Sequence, residues 1–164
     1  MDTSSVVVEW AMAKLIQRPE LMKRAQEEVR RCVGRSKGKV EESDLHQLHF
    51  LKRIVKEMMR LHPPVPMLVH RETMHPITLS DEYQIPQKMM IYVNAWTISK
   101  DSDERPEVFD SERFVNLVSP AMDSFEHYNF KLIQFSKGRR IYMGKNLGML
   151  MGEVVLANPL YSFD

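Results

Sequence analysis

The residues from Phe135 to Gly144, Phe-Ser-Lys-Gly-Arg-Arg-Ile-Tyr-Met-Gly, carry the strongest chemical pattern in the chain. A glycine turn at Gly138 bearing Arg139 and Arg140, then a short stiff stretch and Gly144, suits a loop that presents one side chain to a large anionic cofactor just before a helix begins. The presenting position is Tyr142. Upstream, Glu57 and Arg60 stand at i,i+3 on one helix face, a spacing that alone describes a surface ion pair worth about a few tenths of a kcal/mol. His46 and His49, also at i,i+3 and close to Asp44, have some metal-site character. No second ligand pair stands at zinc spacing, and surface histidines are the simpler reading. Lys137, Arg139, Arg140 and Lys145 make a basic loop able to attract an acidic partner.

These groups must be held by the surrounding elements, which the apolar spacing outlines. Val7, Val8, Ala11 and Leu15 predict a helix from Ser4 or Ser5 to Arg18, within the segment 2–18 closed by Pro19. Pro19 then opens a second helix to Gly34, with Leu21, Met22, Ala25, Val29 and Val33 on one face and Lys23, Arg24, Glu27, Glu28, Arg30 and Arg31 on the other. Residues 35–42 read as a solvated loop, Ser43 as the cap of a short turn, and residues 50–61 as a helix stopped by Pro63, Pro64 and Pro66. Short strands are expected at 67–73, 77–79, 83–85 and 89–93, then an aperiodic meander over 101–129. The ligand loop occupies 130–144, and a last helix runs over 145–158, ending at Asn158-Pro159.

Composition narrows the classes. With 164 residues, 43% of them hydrophobic, the chain is long enough for one domain with a real core. A net charge of +1 with mixed signs supplies neither a nucleic-acid-binding tail nor a polybasic membrane patch. The single cysteine, Cys32, excludes an internal disulfide framework and fits a reducing compartment. No signal peptide, and no window of the ~20 apolar residues that a membrane span needs, is visible, so the expectation from sequence is a soluble cytoplasmic chain without a membrane anchor.

Three motifs in order, Glu57-Met58-Met59-Arg60 followed by Leu61-His62-Pro63-Pro64, Phe109-Asp110-Ser111-Glu112-Arg113-Phe114, and the loop from Phe135 to Gly144, resemble the C-terminal part of a cytochrome P450, most closely a plant microsomal one. The resemblance implies a mainly α fold with small β-strands (α+β), here an incomplete P450 domain over 1–164. It implies haem as cofactor, with Phe135, Gly138, Arg140 and Gly144 as the loop around it and Arg140 and Arg71 facing its propionates, a task to which guanidiniums are suited. Arg113 becomes the third member of a buried Glu57–Arg60–Arg113 network that pins the meander to its helix. Asp2 and Thr3 fall at the positions where family members relay protons to the haem pocket, although an ordinary helix cap is the simpler reading of both. The family activity so implied is NADPH-dependent monooxygenation of a small hydrophobic molecule. Electrons come from NADPH-cytochrome P450 reductase docked on the basic loop, at the cytosolic face of the endoplasmic reticulum membrane.

The departures from the family pattern are as informative. The family loop reads Phe-x-x-Gly-x-Arg-x-Cys-x-Gly, and its cysteine thiolate holds the iron. Here Tyr142 stands at the metal-ligand position, while Ser111 and His70 replace usual prolines. A phenol has a reference pKa of about 10, so ligation as phenolate needs a nearby cation such as Arg139 or Arg140. Otherwise Tyr142 fills space in a loop that no longer binds iron. The resemblance covers only about the last third of a family member, and with the thiolate missing the expectation is an impaired or inactive chain. Its alternative is a non-catalytic remnant or interaction module that keeps the reductase-facing loop.

Overall fold

The computed structural model describes residues 2–34, 37–80, 83–101, 105–115 and 133–163, and the Asp2 and Ser80 side chains lie outside that description. The fold is mainly helical with a few small strands, as expected. Helices α1 (Asp2–Gln17), α2 (Pro19–Val33), α3 (His49–Leu61) and α5 (Lys145–Ser162) pack around one apolar core, and α4 (Ala95–Asp101) lies against α3. Val7, Ala11 and Leu15 of α1 are buried with Ala25 and Val29 of α2, Leu51, Ile54 and Met58 of α3, and Leu156 and Leu160 of α5. This follows the apolar spacing because residues three and four apart share a helix face.

One charged residue departs from that pattern. Glu28 does not join the solvent face of α2: it is buried, and its carboxylate accepts the backbone N–H of Phe50 at 2.8 Å and of Leu51 at 2.9 Å. Leu48, the N-cap of α3, has no side chain able to serve those donors. A carboxylate from the neighbouring helix therefore caps α3 and meets the positive end of its dipole. Replacing Glu28 by alanine is expected to lower stability by about 2–3 kcal/mol, with glutamine intermediate because it keeps one acceptor oxygen. Urea midpoints of the three proteins measure this, and equal midpoints would contradict the capping role.

Other expectations need correction. The short turn is a 3-10 helix at Glu42–Gln47 that begins before Ser43, and Asp44 accepts the Glu41 N–H at 2.9 Å. Val40, expected in a solvated loop, is buried and exchanges hydrogen bonds with the Asn158 side chain. The last helix does not stop at Asn158. Pro159 sits in its final turn, where α2 side chains serve the terminal carbonyls: Arg30 donates to Tyr161 and Phe163, and Gln26 to Phe163. Buried Leu160 and the 2.8 Å bond from Tyr161 Oη to the Gly34 carbonyl hold that turn in place.

The first and last strands are shorter than the expected runs 67–73 and 89–93, while the middle two lie where 77–79 and 83–85 were expected. β1 (Arg71–Glu72) pairs antiparallel with β4 (Met90–Ile91), and β2 (Ile77–Ser80) pairs with β3 (Tyr83–Ile85). Pairing beyond β1 and β4 persists in pieces, as in Leu68 N–H to the Val93 carbonyl and Thr73 N–H to the Met89 carbonyl, where the Met89 N–H returns to the Thr73 hydroxyl rather than to a carbonyl. Helix α4 was not expected. Asn94 accepts the Thr97 N–H at 3.0 Å, a side-chain N-cap. Of the expected meander, residues 105–115 are described as turns, whereas Asp101 belongs to α4. The expected meander positions 102–104 and 116–129, and loop positions 130–132, fall outside the described residues.

Candidate functional site

The loop is built on two supports. Ile133 is buried with Leu68 and Ala95, and Gln134 donates to the Met59 carbonyl at 2.9 Å, so the chain enters the loop fixed to α3 and the strands. Ser136 then adopts φ 65°, a left-handed conformation uncommon for a residue with a side chain. Arg71, on β1, donates to its hydroxyl. Gly138, with φ 78°, opens a 3-10 turn over Gly138–Arg140, which glycine permits at no steric cost. Arg139 and Arg140 are exposed in that turn. The structure thus brings Arg71 to the loop through Ser136, a contact that only a fold can create from positions 65 residues apart.

Tyr142 returns to the start of the loop: its N–H donates to the Phe135 carbonyl at 2.9 Å. The Tyr142 and Phe135 rings lie nearly parallel, with an interplanar angle of 10° and centroids 6.3 Å apart. A Cβ built on Gly144 would fall 2.7 Å from Cε1, Cζ and Oη of Tyr142, and one on Gly148 would fall 3.6 Å from the Phe135 ring. The two rings are therefore laid over two glycines at the start of α5. Tyr142 remains 62% exposed, so its ring covers Gly144 from the outside rather than filling the core. Replacing Gly144 by alanine is expected to expel the ring, because 2.7 Å is well inside van der Waals contact. The loss of nuclear Overhauser contacts between Tyr142 and Phe135 would show the displacement, and their survival would contradict the packing.

On α3, Glu57 collects donors. Arg60 grips both of its oxygens, Nε to Oε2 at 2.8 Å and Nη2 to Oε1 at 2.9 Å. Arg113 Nε reaches Oε1 at 3.3 Å, and the Asp110 N–H donates to the same oxygen at 3.0 Å. Glu57 and Arg60 are fully buried and Arg113 nearly so. Arg60 Nη1 also donates to the Pro106 carbonyl, which ties the turn segment to α3. A second clamp was not read from the sequence: Glu112 accepts from Arg24 on α2 and Arg53 on α3, and both guanidiniums lie over the Phe50 ring. Its signal was present only as unassigned charges.

The remaining candidates stand apart from this geometry. Asp2 is the first residue of α1, and Thr3 is exposed beside it. Asp44 is taken by Lys37 at 2.9 Å, His46 is bonded to the Ser43 carbonyl, and among the described residues no three histidine, cysteine, aspartate or glutamate side chains are grouped to hold a metal ion.

The site can be weighed against a thiolate-held haem. Arg71 and Arg140 are guanidiniums at the loop, suited to a pair of propionates. The donor is unsuited: the presenting residue is a phenol packed on Gly144, and Cys32 sits on α2 against the Gln47 carbonyl at 3.8 Å. The residues present do not fit a thiolate-ligated iron.

Comparison with known proteins accounts for the arrangement. "Cytochrome P450 71A1" of Persea americana is 49% identical over 165 residues, covering 99% of this chain and 32% of that protein. Costunolide synthase of Tanacetum parthenium is 48% identical over 166 residues, with 99% and 32% covered. The chain thus spans about a third of the length of the curated relatives it matches. A solved structure of a zebra fish cytochrome P450 with progesterone superposes with a TM-score of 0.85 at 27% identity, over 99% of this chain and 36% of that one. The family described as Cytochrome P450, whose members use haem, matches residues 1–164, and with the clamped Glu57 carboxylate and the arginine-bearing loop in place, this chain belongs to the cytochrome P450 family.

Proposed function

We propose that this chain forms the haem loop and the underlying scaffold of a cytochrome P450, and that with Tyr142 at the ligand position it does not sustain the family's monooxygenation. The supporting observation is the parked phenol: Tyr142 rests on Gly144 beside Phe135, where family members carry a thiolate. A phenol and a thiolate differ in softness and in the electron density they donate to a metal, so the arginines alone do not restore the family chemistry.

The rest of the functional reading follows the family. A complete protein containing this segment would act on a small hydrophobic molecule with electrons from NADPH-cytochrome P450 reductase. Exposed Lys137, Arg139 and Arg140 offer a cationic face for an acidic partner. Attachment of the whole protein to the endoplasmic reticulum membrane belongs to the same proposal, and none of the described helices is long and apolar enough to cross a membrane. A second reading, a non-catalytic chain retaining the basic loop as its interaction surface, rests on that same exposure. The test of the leading reading is the reduced carbon monoxide spectrum of haem bound by the chain, which should lack the thiolate signature.

A further inference from the structure

We propose that His70, Glu72 and Met90, set side by side on the outer face of the β1–β4 ribbon, bind a copper ion through the imidazole, the carboxylate and the thioether. The strand register places Glu72 directly opposite Met90 and Arg71 opposite Ile91. One residue farther along, the His70 and Tyr92 rings meet across the ribbon, with centroids 5.7 Å apart and an interplanar angle of 47°. Residues two apart on a strand share a face, and the exposure alternates accordingly: His70, Glu72, Met90 and Tyr92 are exposed, whereas Arg71 and Ile91 are half-buried. Arg71 turns toward Ser136 and the loop, so the three ligands occupy the opposite side. Opposed residues of an antiparallel pair have Cβ atoms about 4.5–5.5 Å apart, and diagonal neighbours such as His70 and Met90 lie about 7–8 Å apart. One ion can therefore sit between the Glu72 and Met90 side chains within reach of His70.

The donor set selects the metal. A thioether favours Cu(I) and is absent from the usual zinc ligands, an imidazole serves both metals, and the carboxylate offsets the charge of either cation. Zinc would find two ligands here and copper three. Among the described residues no hydrogen bond or ion pair engages the Glu72 carboxylate or the His70 ring, so neither donor has to be withdrawn from a partner. Tyr92 against the imidazole restricts its rotation, which lowers the cost of ordering the ligand. The imidazole stands where the family pattern has proline, a residue with no ligating nitrogen, so the site belongs to the sequence of this chain.

The test is an anaerobic titration of the full chain with Cu(I), kept reduced by ascorbate and competed against a chromophoric Cu(I) chelator, with Zn(II) titrated in parallel. Cu(I) should bind more tightly than Zn(II) and should shift the His70 and Tyr92 ring protons in the proton NMR spectrum. Met90→Leu should weaken Cu(I) by at least about tenfold while leaving Zn(II) unchanged, and His70→Gln should weaken both. Met143→Leu, which removes a thioether that is 97% exposed, and Cys32→Ser, which removes the single thiol, should leave the Cu(I) affinity and the ring shifts as they are. Zn(II) bound as tightly as Cu(I), Met90→Leu binding Cu(I) like the original chain, or loss of the ring shifts in Met143→Leu or Cys32→Ser would overturn the proposal.

Discussion

Replacing Glu57 by alanine is expected to lower the stability of the chain by about 3–5 kcal/mol, the largest effect of any single stability change considered. The size follows from what is left behind. Arg60, with no exposed surface, loses both bonds of its bidentate pair, Arg113 loses its Nε acceptor, and the Asp110 N–H loses its only acceptor on that carboxylate. Arg60 keeps the Pro106 carbonyl, which does not balance its charge. An ion pair of the same spacing on the surface would change stability by less than about 1 kcal/mol. Glu57→Gln should fall between, since it keeps the shape and one acceptor while losing the negative charge. Denaturant melts of the three proteins decide the matter, and a near-zero difference for alanine would contradict a clamped scaffold.

That clamp shows what sequence could and could not supply. The spacing of Glu57 and Arg60 places both on one face of a helix, yet the same spacing describes an exposed pair. Only the family resemblance brought Arg113 to it, because a contact across 56 residues has no local signature. The main helices were legible for a local reason: Val7, Ala11 and Leu15, or Ala25 and Val29, recur at the period of the helix and are buried together. Glu28 was misassigned for the complementary reason. It sits among Glu27, Arg30 and Arg31 and reads as solvent-facing, while the donors that draw it inward belong to Phe50 and Leu51 of another helix. Helix α4 did have a local signal, Asn94 as cap, masked by the aromatic and β-branched run Trp96-Thr97-Ile98 that continues the look of a strand. Within the loop, the identity of Tyr142 was plain from sequence. The resting place of its ring was not, since it depends on two bare glycines one turn apart on α5 and on Phe135 seven residues earlier.

The second large effect concerns that ring. Tyr142→Cys removes the group lying over Gly144 and places a thiol just before the N-terminus of α5, where a helix end and the arginines of the loop favour the thiolate. Phe135 loses its ring partner, whereas the left-handed turn at Gly138 and the Arg71 bond to the Ser136 hydroxyl do not involve the Tyr142 ring. The variant should therefore recover soft ligation that the original chain lacks, and the contrast is all or none rather than graded, because it is set by the identity of one donor atom.

The most direct measurement compares the Soret band of the reduced carbon monoxide adduct in the original sequence and in Tyr142→Cys. Both are prepared as the chain itself and spliced in place of the matching third of the Persea americana relative. The account predicts a thiolate-type band, matching that relative, only with Cys at position 142. A thiolate-type band from the original sequence would contradict it.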